Sequence, residues 1–447
     1  TELILQNQPE IDRLSSIVQN LLTEASKQGA SSAEARISLD DGMTVNARLG
    51  SVETIEYHCS QGLGITVYFG HCKGSASSTD LSVASIRETV QAACSIANFS
   101  NPDQFSGLPE PALLANEFPD LDLYHPWNIS STDAIETTIA CEQAALEYHP
   151  EIVNSEGASL STLQGIRVLG NTIGFLHGYS SSRHSISCSV LGKRNNQMQR
   201  DYWYSVARNS IDLESAIEIG RKAAERTIKR LDARKISTRQ CPILFSAELA
   251  GGLFNSFISA ISGGNLFRGT SFLLNCLDKQ VFPDFISISE SPFLLSALGS
   301  SVYDLEGVRT QTRDIVSNGR VKGYVLSSYS ARKLGLQSTG NAGGVHNLCV
   351  STGAHNFDEL VKDLNTGLIV TELLGQGVNI VTGDYSRGAS GFWVENGIIQ
   401  FPVEEITIAG NLKDMFTQIV SVGNDIDYRG SIRTGSVLIE NMSIAGN

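Results

Sequence analysis

The chain is short of every feature that marks a self-sufficient catalytic or membrane protein. Its nearest cysteines, Cys59 and Cys72, stand 13 positions apart, which excludes C-x-x-C redox motifs and zinc-ribbon spacings. The eight thiols are expected to be reduced and mostly buried. Its nearest histidines, His177 and His184, are seven apart, so no helix can present an H-E-x-x-H pair. No apolar run approaches the roughly 20 residues of a membrane helix, and the opening TELILQNQPEIDRLSS lacks a basic segment leading into an apolar one. The expected location is cytoplasmic, without membrane contact. Positive charge is also scarce: 33 Lys+Arg against 47 Asp+Glu give a formal charge of -14, which argues against nucleic acid as a partner. The basic residues Arg221, Lys222, Arg226, Lys229, Arg230, Arg234, Lys235 and Arg239 do gather. They read as a solvated helix face with Glu218 and Glu225 as partners.

What is present is length and glycine. A chain of 447 residues exceeds one ordinary core, and 41 Gly against 11 Pro favour tight turns over Pro-rich linkers. Apolar residues at helical spacing predict helices over 9–28, 81–98, about 133–148 and 212–231. Between the first two, alternating β-branched residues predict an antiparallel sheet with turns at its Asp-Gly, Leu-Gly and Gln-Gly pairs. Strands dominate from Ile152 to Arg208, and a Pro/Asp/Asn-rich excursion fills 101–132. The reading is α+β in two lobes. The N-terminal one, 1–231, is an antiparallel sheet with packed helices; the charged connector is 232–241. The C-terminal lobe, 242–447, is Gly-rich and β-dominated around one buried helix, AELAGGLFNSFISAIS, with Ser246 as N-cap, Glu248 in the first turn and Gly263-Gly264 as stop. Asn318-Gly319 and Asn396-Gly397 predict type I′ hairpin turns.

Catalytic constellations are thin. No G-x-S-x-G elbow exists; His346 in GNAGGVHN and Asp384 in TGDYSRGASGFW could be cast as base and acid with Ser386 or Ser390, but loop or core roles are the reading preferred for each. The stretches GNAGG and GQGV lack the Lys-Ser/Thr of a phosphate loop and read as turns of positive φ. For holding an extended peptide, exposed strand edges and Gly-rich loops are the suitable surface, which nominates Gly343, Gly344, His346, Asn347, Asp384, Tyr385 and Arg387.

Several long strings carry a resemblance: LGITVYFGHCKGSASSTDLS at 63–82, GYSSSRHS at 178–185, SSYSARKLGLQSTGNAGGVHN at 327–347, GLIVTELLGQGVN at 367–379, TGDYSRGASGFWVENG at 382–397 and EITIAGNL at 405–412. Together they resemble the TldD/TldE (PmbA/TldD) metalloprotease family and, within it, the non-catalytic TldE/PmbA-type subunits. The resemblance implies a partner, a TldD-like catalytic subunit with a His-Glu-x-x-x-His helix and a further Cys ligand. Anchored on Arg268-Gly-Thr-Ser271, that motif falls on Phe254, Asn255 and Ser259, while Arg433 and Thr434 stand where the Cys would be. Phe has no lone pair, Asn cannot ionise and a Ser hydroxyl is a poor zinc ligand. The expectation is therefore no catalytic residue and no metal in this chain, with zinc in the partner. Heterodimers, or a homodimer when the partner is missing, are implied, as is action on short or unfolded peptides in peptide-antibiotic maturation and antitoxin turnover. Two other readings compete: a regulatory modulator of DNA gyrase, and an autonomous serine-type hydrolase.

Overall fold

The computed structural model describes residues 2–446, with side chains from residue 7 onward. The N-terminal lobe contains α1 (Glu2–Lys27), β1 (Ser32–Arg48), β2 (Ser51–Phe69), β3 (Cys72–Ser78), α2 (Val83–Phe99), α3 (Ser131–Leu146), β4 (Ile152–Asn171), β5 (Leu176–Arg194), β6 (Gln197–Ala207) and α4 (Ala216–Lys229). The strands form one antiparallel sheet in the order β3-β2-β1-β4-β5-β6. Its odd-numbered β1 positions explain the layering, since side chains alternate across a sheet. Ala33, Ala35 and Ile37 sit under α1 and α2. Met43 and Val45 sit, on the same face, under α3 and α4. The opposite face carries short polar side chains such as Ser159, Ser161, Ser185 and Ser187, all partly open to solvent.

Two predicted turns are absent. Asp41-Gly42 and Gln61-Gly62 run through the middle of β1 and β2, paired with Cys59, His58 and Ser38. Gly42 is there for contact: a Cβ would stand 2.2 Å from the Thr162 carbonyl oxygen of β4. The β1–β2 reversal falls at a predicted Leu-Gly pair, Leu49-Gly50, with φ of 51° and 74°.

Residues 101–132 form no strand and wrap onto the C-terminal lobe. Arg332 donates to the carbonyls of Phe105 and Gly107 at 3.2 Å and to Glu110 at 3.0 Å. Ala115 N donates to Gly307 O at 3.0 Å.

The C-terminal lobe contains β7 (Arg239–Phe245), α5 (Ala247–Ala260), α6 (Gly263–Arg268), β8 (Ile288–Glu290), β9 (Arg313–Ser317), β10 (Arg320–Val321), α7 (Ser328–Lys333), β11 (Leu348–Val350), α8 (Phe357–Leu364), β12 (Gly367–Leu374), β13 (Asp384–Glu395), β14 (Ile398–Asn411), α9 (Leu412–Thr417), β15 (Ile419–Val422), β16 (Ile432–Arg433) and β17 (Val437–Ala445). β7 begins inside the charged stretch 232–241. One sheet runs β10-β9-β8-β11-β16; the other runs β14-β13-β12-β7-β17-β15, and a β14–β17 pairing closes it into a ring. Its main core packs α5 against β7, β12 and the rings of Phe282 and Phe416. The outer face of β7 is covered by α8 through Leu360 and Leu364. Both Asn-Gly pairs make the predicted hairpins, with φ of 46° and 72° at 318–319 and 53° and 72° at 396–397. The architecture is α+β, and none of the described helices is long and apolar enough to cross a membrane.

Candidate functional site

The helix α5 is set by its apolar stripe: Ala250, Leu253, Phe254, Phe257 and Ile258 are buried and point to the ring of strands. Its ends differ from expectation. Ser246 occupies the N-cap position, yet its side chain makes no cap bond and its Oγ is buried without a partner. The helix start is held by the backbone instead, Ser246 N donating to Val370 O at 3.1 Å. Gly263 does not end α5 but opens α6, pressed against α7 so that a Cβ would lie 2.2 Å from Ser330 Oγ. The stop that follows is Gly269, at φ 69°.

Phe254 is fully buried, its ring 6.1 Å from that of Phe282. Asn255 is on the exposed side of α5 and Ser259 is half-buried. The carbonyl of Ser259 accepts from Asn265 Nδ2 and Ser262 Oγ, both at 2.8 Å. β16 runs beside the helix, a Cβ on Gly251 being 3.9 Å from Ile432. Next along β16, the Arg433 guanidinium lies 5.3 Å from the Tyr428 ring centre, and Thr434 is buried with its hydroxyl donating to Gly435 O at 3.1 Å. The two segments a metal site would need, α5 and the end of β16, are thus adjacent, but they present a phenyl ring, a neutral amide, two hydroxyls and a guanidinium. Among the described residues no three His, Cys, Asp or Glu side chains converge as ligands. The residues present do not fit a zinc ion.

The other nominated residues fall into two places. Before β11, the loop is organised by a residue invisible to motif reading, Glu290, only 2% exposed. Its carboxylate accepts from Asn341 Nδ2 at 2.7 Å, His346 N at 2.8 Å and Arg313 Nε at 3.0 Å. His346 turns its ring to Gly340 O, 3.2 Å from Nε2, and burial pushes its pKa down against the pull of Glu290. Asn347 is fully buried at φ 47°, donating to Ser291 O and Ser300 Oγ and accepting from Gly299 N. Gly343 and Gly344 adopt φ of 100° and 121°, which only glycine tolerates.

At the start of β13, side chains alternate. Asp384 is exposed and bonded to Thr382 Oγ1 at 2.7 Å and Asn411 Nδ2 at 3.2 Å, hydrogen bonds that hold its pKa low. Tyr385 points inward, edge-on to Phe245 with ring centres 6.4 Å apart, and burial pushes its phenol up to about 12. Arg387 follows it, half-buried, with Nε unpartnered. The serine-hydrolase set is not assembled. His346 bonds to Gly340, Asp384 to Thr382 and Asn411, and neither Ser386 nor Ser390 shares a hydrogen bond with either.

A third cluster, between the lobes, corrects the solvated-face reading of α4. Arg221–Glu218 and Lys229–Glu225 do pair on the surface, at 3.2 and 2.6 Å. Arg226 and Arg230 turn inward. Arg226 reaches Glu248, in the first turn of α5, at 2.9 Å, and Asp201 at 3.4 Å; Arg230 pairs with Asp201 and Glu372. Arg429 closes the group, 4.0 Å above the Trp203 ring and 4.4 Å from that of Tyr204, with Asp427 at 2.8 Å and Glu248 at 3.5 Å. Burial opposes the charge of Asp427, but the Arg429 hydrogen bonds prevail and keep its pKa low. A cleft of about 570 Å³ opens over these residues. Acidic and aromatic residues over 200 positions apart build this cluster, and no sequence spacing signals it.

Three family models match in series: PmbA/TldA metallopeptidase domain 1 over residues 33–97, the central domain over 124–231 and the C-terminal domain over 238–446. Metalloprotease PmbA of Escherichia coli O157:H7 is 50% identical over 414 residues, covering 93% of this chain and 92% of that one. Among solved structures, a Bacteroides thetaiotaomicron protein described as a candidate modulator of DNA gyrase superposes with a TM-score of 0.93 at 26% identity, covering 98% and 99% of the two chains. TldE of Thermococcus kodakarensis shares the fold, with a TM-score of 0.84 at 20% identity over 96% and 100%. With half its residues matched over nearly its whole length, the chain belongs to the PmbA/TldD metallopeptidase family, on its PmbA/TldE side.

Proposed function

We propose that this chain is the metal-free subunit of a two-chain zinc peptidase acting on short or unfolded peptides, with the zinc held by a TldD-like partner. The observation that carries this reading is α5. Its family-motif positions hold Phe254, Asn255 and Ser259, and Phe254 is spent on the core. Removing ligands from such a helix frees it to be packed by apolar contact, which stabilises a fold without supplying chemistry. The chain's contribution is then to wall a substrate chamber and steady its partner. Of the nominated peptide-contact residues, Gly343 and Asp384 are exposed, Gly344, His346 and Arg387 are half-buried, and Asn347 and Tyr385 support them from inside.

The test is reconstitution. The purified chain should carry no stoichiometric zinc by elemental analysis, cleave no peptide alone, co-purify with a TldD-like protein and raise that protein's peptidase activity. Stoichiometric zinc, or a partner equally active without this chain, ends the proposal. A second reading, modulation of DNA gyrase, rests on the description of the Bacteroides relative. Direct association with gyrase at physiological salt in the absence of any TldD-like protein would favour it.

A further inference from the structure

The lobe junction holds a second cavity, remote in sequence from α5 and from the glycine-rich loops. It encloses about 280 Å³ between Ile11 of α1, the segment 118–124, the start of β5 and Tyr303 of the C-terminal lobe. Its walls are aromatic. Phe118 stacks on His177 with ring centres 3.8 Å apart and 7° from parallel, and Tyr303 stands edge-on, 5.5 Å from His177 and 6.0 Å from Tyr179. His177 Nδ1 lies 3.3 Å from the Tyr303 hydroxyl. Burial pushes this imidazole down to about 4, so at neutral pH the ring is uncharged and the wall does not invite an anion.

One side of the cavity is a strand edge. β6 pairs with β5 only from His184 onward. Before that point the outer edge of β5 meets segment 118–124 through one backbone bond, Ser182 N to Leu123 O at 2.9 Å. Alternate residues of a strand send N–H and C=O to the same side, so Ser180 and Gly178 aim theirs along the same edge as Ser182. Neither has a backbone partner there among the described residues, and both line the cavity. An apolar volume backed by unpaired main-chain groups suits an extended chain, whose backbone completes the edge while an alternate side chain fills the pocket. A helix, about 10–12 Å across, needs a wider groove. A charged side chain would lose its hydration against neutral rings.

Resting on the peptide-handling reading above, we propose that this junction is a subsite for an extended peptide, which pairs with the β5 edge at Gly178 and Ser180 and lodges one aromatic or large apolar side chain against Phe118, His177 and Tyr303. The experiment titrates the full chain into two fluorescein-labelled, unstructured ten-residue peptides of Gly and Ser, one with a central Trp and one with Ala there, reading anisotropy. The Trp peptide should bind about tenfold more tightly. Phe118→Ala, at a residue already 40% exposed and so safe for the fold, should remove most of that preference. Ser180→Pro, which deletes one edge N–H, should weaken both peptides alike. Equal binding of the two peptides, or a Trp preference untouched by Phe118→Ala, overturns the subsite. Co-purification with a TldD-like protein is scored on the same samples. Association without a Trp preference sinks the subsite alone, whereas a Trp preference without association sinks the two-chain reading alone.

Discussion

The helix α5 and the loop around Glu290 hold most of the chemistry nominated from the sequence, and they commit their side chains to the fold in opposite ways. α5 sits where a metal motif is expected and offers a phenyl ring held by apolar packing. Around the loop, Glu290 takes hydrogen bonds from Arg313, Asn341 and the His346 backbone, Arg313 also reaches Asn341, and Asn347 bonds to Ser300 and to the backbone of Ser291 and Gly299, so residue types used in catalysis are committed to holding the chain. A buried polar group must be paired or it costs free energy, so a fully paired network holds a backbone in shape and leaves little for a substrate. The presence of reactive residue types is therefore weak evidence for a site, and their unsatisfied valences are better evidence.

The strongest way to break this contrast is to write the missing motif into α5. Phe254→His, Asn255→Glu and Ser259→His together should lower stability by about 3 kcal/mol or more, because the ring at 254 leaves a cavity and a polar imidazole enters the core. Zinc should not be retained, since Arg433 at the end of β16 and Thr434 just beyond it still stand where a thiolate ligand is needed. Chemical denaturation and elemental analysis check both halves; tight zinc binding with unchanged stability would erase the distinction between α5 and a live metal helix.

Glu290→Gln tests the other region. The amide keeps the shape but removes the charge that Arg313 pairs with, and turns one acceptor into a donor facing donors. A loss of about 2 kcal/mol is expected by denaturation. The His346 ring, freed from the carboxylate's pull, should titrate lower still by NMR. Arg429→Ala comes next, at about 1–2 kcal/mol, from loss of the stack on Trp203 and Tyr204 and of the pair with Asp427. Because Arg429 bridges the lobes while Glu290 lies within one, proteolysis should find the connector 232–241 more open in Arg429→Ala and unchanged in Glu290→Gln.

How much of this was legible in the sequence depends on how far apart the partners lie. The four N-terminal helices follow from apolar spacing, and the Asn318-Gly319 and Asn396-Gly397 turns from residue chemistry alone, because both are local. Asp41-Gly42 misleads, since a glycine serves close packing as readily as a turn, and only the position of Thr162 on β4 decides between them. Glu290 carries no local signal, and Arg429 has only its pair with Asp427 nearby in sequence. Their other partners come from positions 313, 341 and 346 in one case and 203, 204 and 248 in the other. The apolar period of α5 was readable, whereas the strand edge at Gly178 and Ser180 required knowing where β6 stops.

The smallest effect sharpens the comparison through pH. His355, just before α8, and Asp363, in its last turn, are both exposed with Nδ1 to Oδ2 2.5 Å apart, and that hydrogen bond raises the imidazole's pKa above its ordinary value. A histidine whose folded pKa is raised stabilises the fold fully below its unfolded value of about 6.5, and that contribution fades as pH climbs through the folded value. Wild type should therefore exceed His355→Gln in melting temperature near pH 6, with the gap closing toward pH 9. The same ramp applied to Phe254→Ala should show a deficit independent of pH, because what is lost there is packing and carries no proton. A flat His355 difference across the range would mean that the exposed pair is screened into irrelevance, leaving burial as the only one of the two physical regimes that holds this lobe together.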